Sequence, residues 1–336
     1  MSLFEQTSRP PWPWQEAVWR RLHEQEQSGA MAHAYLFIGD RGTGRTDFVR
    51  EFANFLLCDD PESGRACYRC RSCRAGGADH HPDLLSILPE EGKKDIGVGQ
   101  IRELTEFLSL NSFSGSGRVA IIPQAEALTL SASNALLKTL EEPATGATLL
   151  LTAYSPGSLL PTIRSRCQLL GLPGPDFDTA IAWLRERLPD SHSISDERLR
   201  ELLEAYGNRP LELTPALGAG QAPGFIALRK MLLDLLEGKI SILRAAAEAA
   251  KIGESEVFEH LSRVSTILIR GLVNGDVRGA ETRALAAALP ESGELGVLLE
   301  FHRQVTRARK LLAGPGNPNP QLLLESTFRL WVKADL

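Results

Sequence analysis

Long apolar runs are missing from this 336-residue chain. The longest, such as residues 147–153 with its internal threonines, fall far short of the ~20 residues needed to span a bilayer, which excludes a transmembrane helix. The N-terminal MSLFEQTSRPPWPW lacks a basic segment followed by an apolar stretch, so a secretory leader is not expected and the chain reads as cytoplasmic. An excess of positive charge is also lacking. Lys and Arg number 37 against 42 Asp and Glu, and division after Gly171 gives 17 against 20 and then 20 against 22. Neither half would hold nucleic acid by bulk electrostatics alone, although a local basic patch made by folding or by a partner stays open. Aromatic residues make up only 6%, but 43% hydrophobic and 24% charged residues exclude a mostly disordered or fibrous protein. The length exceeds what one compact core usually holds, so two or three domains are expected.

What is present begins with an alternation. Ala34–Ile38 (AYLFI) is a short apolar run bounded by a glycine-rich turn and reads as a buried strand. Residues 45–57 then place Phe48, Val49, Phe52, Phe55 and Leu56 on one helix face. Val98–Ser109 reads as a helix, Arg118–Ile122 (RVAII) as a central strand, 132–141 as a helix stopped by Pro143, and 147–152 as another strand. Such an order predicts an α/β domain with a mostly parallel sheet covered on both faces. Past Gln168 the alternation stops. Residues 172–175 read as a linker and 179–188 and 196–206 as helices. Residues 218–224 (GAGQAPG) read as weak structure, followed by helices over 226–236, 257–272, 296–312 and 321–331. Three modules are expected, over residues 1–171, 172–221 and 222–336, with no internal repeat of fixed period.

Residues 39–46, GDRGTGRT, fit the phosphate-loop pattern G-x-x-x-x-G-K-[ST] at Gly39, Gly44 and Thr46 but carry Arg45 where lysine belongs; Gly42 is a further glycine within the loop. The loop works because glycines let backbone N–H groups converge on phosphates at a helix N-terminus, while the lysine reaches the β/γ-phosphates and the hydroxyl binds Mg²⁺. Arginine keeps the charge but is planar and forked, so the sequence leaves ATP binding by this loop open. An ATPase of this type also needs an acidic residue at the end of a central strand. RVAII runs instead into Pro123 and Gln124, and Glu126 reads as a solvated residue starting a turn. The expectation is a degenerate domain that does not turn nucleotide over.

Four of the five cysteines, Cys58, Cys67, Cys70 and Cys73, lie within sixteen residues in the spacing C-x8-C-x2-C-x2-C. In a reducing compartment that pattern suggests metal before disulfides. Four thiolates fill the tetrahedral shell of one structural Zn²⁺, leaving a net charge of −2 that Arg65, Arg69, Arg71 and Arg74 are placed to offset. Iron–sulfur runs usually put the fourth cysteine elsewhere, which favours zinc. His80 and His81 read as a loop pair, and Cys167 as a small apolar side chain.

The loop, the four-cysteine insert, the SNALLKTLEEP block from Ser133 to Pro143 and Ser165-Arg166-Cys167 together resemble bacterial sliding-clamp loader subunits of the AAA+ ATPase family. The resemblance is good over about residues 30–170 and general in layout beyond. It implies a P-loop parallel-sheet domain with a zinc insert over 1–171, a small helical lid over 172–221 and an all-α collar over 222–336. Motor subunits of the gamma/tau type carry the loop lysine, an Asp-Glu pair after the central strand and a sensor-2 arginine. Here stand Arg45, then Pro123 and Gln124, and an arginine displaced to Arg209, so the chain is more similar to the delta-prime type of DNA polymerase III subunit. The resemblance further implies a non-hydrolysing stator in a five-subunit ring with gamma/tau and delta. That ring loads the β sliding clamp on primer–template DNA, and Arg166 acts in trans as an arginine finger on a neighbour's ATP. A weakly active ATPase of the gamma/tau type is the nearer alternative. A stand-alone zinc-containing nucleic-acid-binding module is the more distant one, disfavoured by the acidic balance and the lack of aromatic–basic interleaving.

Overall fold

The computed structural model describes residues 9–75, 81–188, 194–218, 224–274, 280–288, 294–313 and 318–332. The chain divides into two compact units, Met1–Thr179 and Ala180–Leu336.

In the first unit, helix α1 (Glu16–Gln27) precedes strand β1 (Ala34–Ile38), which runs through the glycine loop into α2 (Arg45–Leu56). A short helix α3 (Arg71–Ala75) belongs to the cysteine insert. Strand β2 (Leu84–Ser86), α4 (Val98–Ser109), β3 (Arg118–Ile122), α5 (Leu130–Glu141), β4 (Ala147–Ala153), α6 (Pro161–Arg164) and β5 (Gln168–Gly171) complete the unit. The five strands lie in the order β2-β3-β4-β1-β5, and every pairing is parallel. Side chains alternate across the sheet with period two, as the pleat requires. Ala34 and Leu36 of β1, Ala120 and Ile122 of β3 and Leu149 and Leu151 of β4 join the core on one face, with Ile101 and Leu104 of α4 and Leu136 and Leu140 of α5. Tyr35 and Phe37, Val119 and Ile121, and Leu150 join the core on the other, with Trp19 and Leu22 of α1 and Phe48, Val49 and Phe52 of α2. The expected α/β sheet is present with both faces covered.

Two strands escaped the sequence reading. β2 has only three residues, too few to show a period. β5 lies past Gln168, where the alternation was expected to stop, yet it pairs with β1 from Tyr35 to Ile38. The linker expected at 172–175 is in part a continuation of that edge. Leu172 donates its N–H to the Ile38 carbonyl at 2.7 Å and is buried. The helix α1 was also missed, its few apolar residues being diluted by charge. Of the weak stretch expected at 218–224, residues 219–223 lie outside the described residues.

Helix α7 (Phe177–Arg187) carries the chain into the second unit, where α8 (Asp196–Ala205), α9 (Pro210–Gly218), α10 (Gly224–Leu236), α11 (Ile242–Ala250), α12 (Glu254–Asn274), α13 (Ala280–Ala288), α14 (Glu294–Ala313) and α15 (Pro320–Val332) follow. α12 packs on α14, and both α11 and α14 pack on α15. Phe258, Phe301, Phe328 and Trp331 are buried among them, and the Trp331 Nε1–H donates to the Leu232 carbonyl at 3.1 Å.

An ion-pair network joins the start of α9 to α12. Arg209 and Arg263 each reach Glu259 Oε1 at 2.6 Å, Arg263 donates to the Tyr206 carbonyl at 3.1 Å, and Glu212 lies 3.7 Å from Arg209 and 3.4 Å from Arg263. Burial alone would raise the Glu259 carboxyl. The Arg209 hydrogen bond and the Arg263 charge outweigh it and pull the carboxyl from its ordinary 4.5 down to about 2. A carboxyl depressed in the folded state stabilises the fold above its unfolded value and loses that contribution as pH falls through the folded one. Acid unfolding of this unit is therefore expected to steepen between about pH 4.5 and about pH 2, with a contribution on the order of 2–3 kcal/mol. Glu259→Gln should remove that part of the acid dependence and lower stability at pH 7 by a similar amount, read by urea titration at both pH values; an unchanged acid limb would sink the assignment.

Candidate functional site

The glycine loop keeps the backbone of a phosphate loop and closes it with its own side chain. Gly42 and Gly44 have φ of 72° and 87°, the left-handed region that glycine reaches without penalty, and Gly44 caps α2 in that conformation. Gly39 packs so closely on Leu172 that a Cβ there would lie 3.0 Å from the Leu172 carbonyl oxygen. Arg45 is the first residue of α2 and only 5% exposed. Its Nη1–H donates to the Gly39 carbonyl at 2.9 Å, and its guanidinium carbon lies 4.0 Å from the Tyr154 ring centroid. The guanidinium thus folds back across the loop and stacks on an aromatic face, a geometry that an ammonium on a flexible stem does not share. From outside, the Trp14 indole N–H and the Gln15 amide donate to the Thr43 carbonyl at 2.9 and 3.0 Å, while the Thr43 hydroxyl donates to the Asp40 carbonyl at 2.8 Å. Thr46 is half-buried in the first turn of α2.

Where a carboxylate would end the central strand, β3 runs into buried Pro123, whose carbonyl accepts from the Thr152 hydroxyl at 2.6 Å, and exposed Gln124. Glu126 does start a turn, but it is not solvated as expected. Burial pushes its carboxyl up from the ordinary range, against the pull of its own and the Tyr154 backbone N–H groups and of the Arg45 charge.

Cys58 follows directly from α2, and Cys67, Cys70 and Cys73 lie on and before α3. Their four sulfurs lie within 4.8 Å of one another. Four thiolates about 2.3 Å from one tetrahedral ion would stand roughly 3.8 Å apart; Cys58 Sγ lies 3.5 Å from Cys67 Sγ and 3.9 Å from Cys70 Sγ. The N–H groups of Cys67, Cys70 and Cys73 point at the sulfurs of Cys58, Cys67 and Cys70, each at 3.3 Å. Backbone hydrogen bonds, led by that of Arg69, bring the Cys67 thiol down to about 7. This donor set fits one metal ion with no open position. Two of the four arginines expected to offset the charge are engaged by carboxylates. Arg65 is paired with Glu16 and Arg69 with Glu62 and Asp60, so the backbone N–H groups rather than these arginines face the sulfurs. His81 is buried, its Nδ1 accepting from the Asp83 N–H at 3.0 Å and its Nε2 bonded to the Ser72 hydroxyl at 2.6 Å, so neither nitrogen is available as a ligand. His80 lies outside the described residues.

Arg166 stands after α6 with its side chain 35% exposed. Its Nη1 donates to the Thr162 carbonyl at 3.0 Å and its Nη2 pairs with Glu141 Oε1 at 2.7 Å. Cys167 packs against the sheet core, and burial pushes its thiol up to about 12. Arg164 is half-buried. Sequence reasoning missed Trp14, Gln15 and Tyr154, which act on the loop from distant positions, and Glu141, whose pairing depends on how α5 and α6 pack. Nothing in a linear pattern announces such contacts.

A parallel sheet with a glycine loop between β1 and α2, and a four-cysteine insert after α2, define a P-loop-type domain. The family model described as DNA polymerase III, delta subunit matches residues 14–176. DNA polymerase III subunit delta' of Pseudomonas aeruginosa is 32% identical over 330 residues, covering 95% of this chain and 97% of its own, and that of Yersinia pestis is 29% identical, covering 96% of each. A gamma subunit-related protein of Thermotoga maritima aligns over 95% of this chain and 99% of its own with 19% identity and a TM-score of 0.45. The chain belongs to the delta-prime subunit family of bacterial DNA polymerase III.

One bound metal ion per chain is expected by elemental analysis. Cys70→Ser should drop the metal content toward zero and lower stability by about 2 kcal/mol or more, because the site's binding energy is also folding energy. Full metal retention in that variant would show that the four sulfurs do not form one site.

Proposed function

We propose that this chain is a non-hydrolysing stator of a clamp loader, in a five-subunit ring with gamma/tau and delta, and that it helps load the β sliding clamp on primer–template DNA. Family membership over nearly the full length supports the assembly, and one observation carries the stator role: the cation at the loop's lysine position, Arg45, is buried and bonded to the loop's own Gly39 carbonyl. A phosphate drawing on that guanidinium would have to displace its bond to Gly39 and its stacking on Tyr154. The missing strand-end carboxylate removes the Mg²⁺ ligand that turnover needs. Arg209, the displaced sensor arginine, is held by Glu259 and adds to this reading.

The chain contributes Arg166, in trans, to ATP on a neighbouring subunit. A guanidinium suits this role because its permanent charge stabilises the γ-phosphate as negative charge develops. Zinc is the metal we assign to Cys58, Cys67, Cys70 and Cys73, in a structural role. A lid over 172–221 and a collar over 222–336, through which the ring is held, complete the chain's part in the assembly.

Reconstitution with candidate clamp-loader partners tests the reading. Arg166→Ala is expected to leave folding and ring assembly intact, while the site it serves loses about 10³-fold or more in turnover. Undiminished ATPase of the complex would count against the finger. ATP hydrolysis by the isolated chain that disappears in Thr46→Ala would overturn the stator reading, and iron with visible absorbance would overturn zinc.

A further inference from the structure

The guanidinium assigned to a neighbour's phosphate is already holding an anion of its own chain. Arg166 Nη2 lies 2.7 Å from Glu141 Oε1, while Nη1 is turned toward the Thr162 carbonyl at 3.0 Å and the Ser165 hydroxyl at 3.4 Å. Glu141 is the last residue of α5, the helix built by the SNALLKTLEEP block. Both side chains are open to solvent, at 35% and 51% exposure, so the pair can be reached and exchanged from outside.

We propose that Glu141 is a carboxylate competitor for Arg166, holding the finger docked on its own subunit until a neighbour's γ-phosphate displaces it. The inference rests on the finger reading above. Three observations favour competition over support. A phosphate engages arginine through the same fork of N–H groups that a carboxylate takes, so Glu141 and a γ-phosphate cannot both hold Nη2 in full. The Thr162 carbonyl, by contrast, is neutral and can keep Nη1 throughout. Glu141 also sits at the C-terminus of a helix, the end where a negative charge is disfavoured. Its hold on Arg166 is therefore that of an exposed ion pair, worth at most about 1 kcal/mol or about a fivefold change in an equilibrium constant. That is strong enough to bias the finger and weak enough for a polyanionic phosphate to break. Glu141 is thus a positioning residue that acts only through Arg166.

The test uses the reconstituted complex, with kcat and KM for ATP measured without clamp or DNA. Glu141→Gln keeps size and helix ending but removes the charge. It is expected to raise kcat/KM by up to about fivefold, and the gain should shrink as NaCl is raised, because salt already screens the pair in the unmodified chain. In a background of Arg166→Ala the same substitution should leave kcat/KM as it is, and the melting temperature of the isolated chain should move by no more than about 4 °C. An unchanged or lowered kcat/KM in Glu141→Gln, with Arg166→Ala still lowering activity, would overturn the competition and leave the finger standing. A gain that persists when Arg166 is alanine would overturn it as well. If Arg166→Ala itself has no effect, the finger reading fails and this inference fails with it.

Discussion

A guanidinium buried at the head of α2 must find acceptors, and that requirement organises the surrounding loop. An unpaired buried charge would cost several kcal/mol, so Arg45 takes the nearest carbonyl its fork can reach, that of Gly39, and lays its face on Tyr154. The loop must then hold the curve a phosphate would otherwise fill, and it does so through left-handed Gly42 and Gly44. Gly39 has no room for a side chain beneath Leu172, so β5 and the chain after it help fix where the loop begins. Trp14 and Gln15 complete the enclosure by donating to the Thr43 carbonyl. A phosphate-loop backbone thus persists with the cation at its lysine position turned back on the loop.

The four-cysteine cluster lies at the other end of the same helix. α2 runs twelve residues, roughly 18 Å, from Arg45 to Leu56, and Cys58 follows almost at once, its N–H bonded to the Phe55 carbonyl. The insert has few apolar residues of its own, so its shape depends on the cysteines and on a few polar anchors to the domain. The Trp19 indole binds the Gly64 carbonyl, Arg65 pairs with Glu16, the Tyr68 hydroxyl binds Glu51, and Ser72 binds His81. Desolvation and the Glu51 carboxylate hold the Tyr68 hydroxyl well above its usual range, so it stays a donor. These anchors come from α1, α2 and the segment before β2, which is why a small insert can be rigid without a core.

Legibility in the sequence followed the range of the interaction. Ala34–Ile38, Val98–Ser109 and Arg118–Ile122 have the same ends in the structure as in the sequence pattern, because each is fixed by its own apolar period. β2 and β5 were hidden because three and four residues carry no period, and their pairing is decided by β3 and β1. The cysteine spacing specified its cluster for the same local reason, two intervening residues being enough to bring neighbouring sulfurs together. Glu126 was misread because its burial is imposed by the fold around it, and a lone carboxylate in a turn looks solvated from its neighbours alone. The loop motif announced its backbone and the missing lysine. It could not announce that Arg45 would be occupied by Gly39 and Tyr154, since that depends on a ring more than a hundred positions away.

The proposed stator role turns on three arginines, and their surroundings separate them more than their sequence positions do. Arg45 is 5% exposed and bonded to backbone, so freeing it would mean rebuilding the loop. Arg209 shares Glu259 with Arg263 at 2.6 Å in a setting that holds that carboxyl charged down to about pH 2, so freeing it would leave a buried charge uncompensated. Among the described residues Arg166 has a single carboxylate partner, and water reaches both side chains. A cation serves another subunit only if leaving its own costs little, and among these three only Arg166 meets that condition. Arg45 stands at the loop's lysine position, Arg209 is displaced from the sensor position, and both are held internally. The one that is exchangeable faces outward, which is the distribution of charge a stator requires.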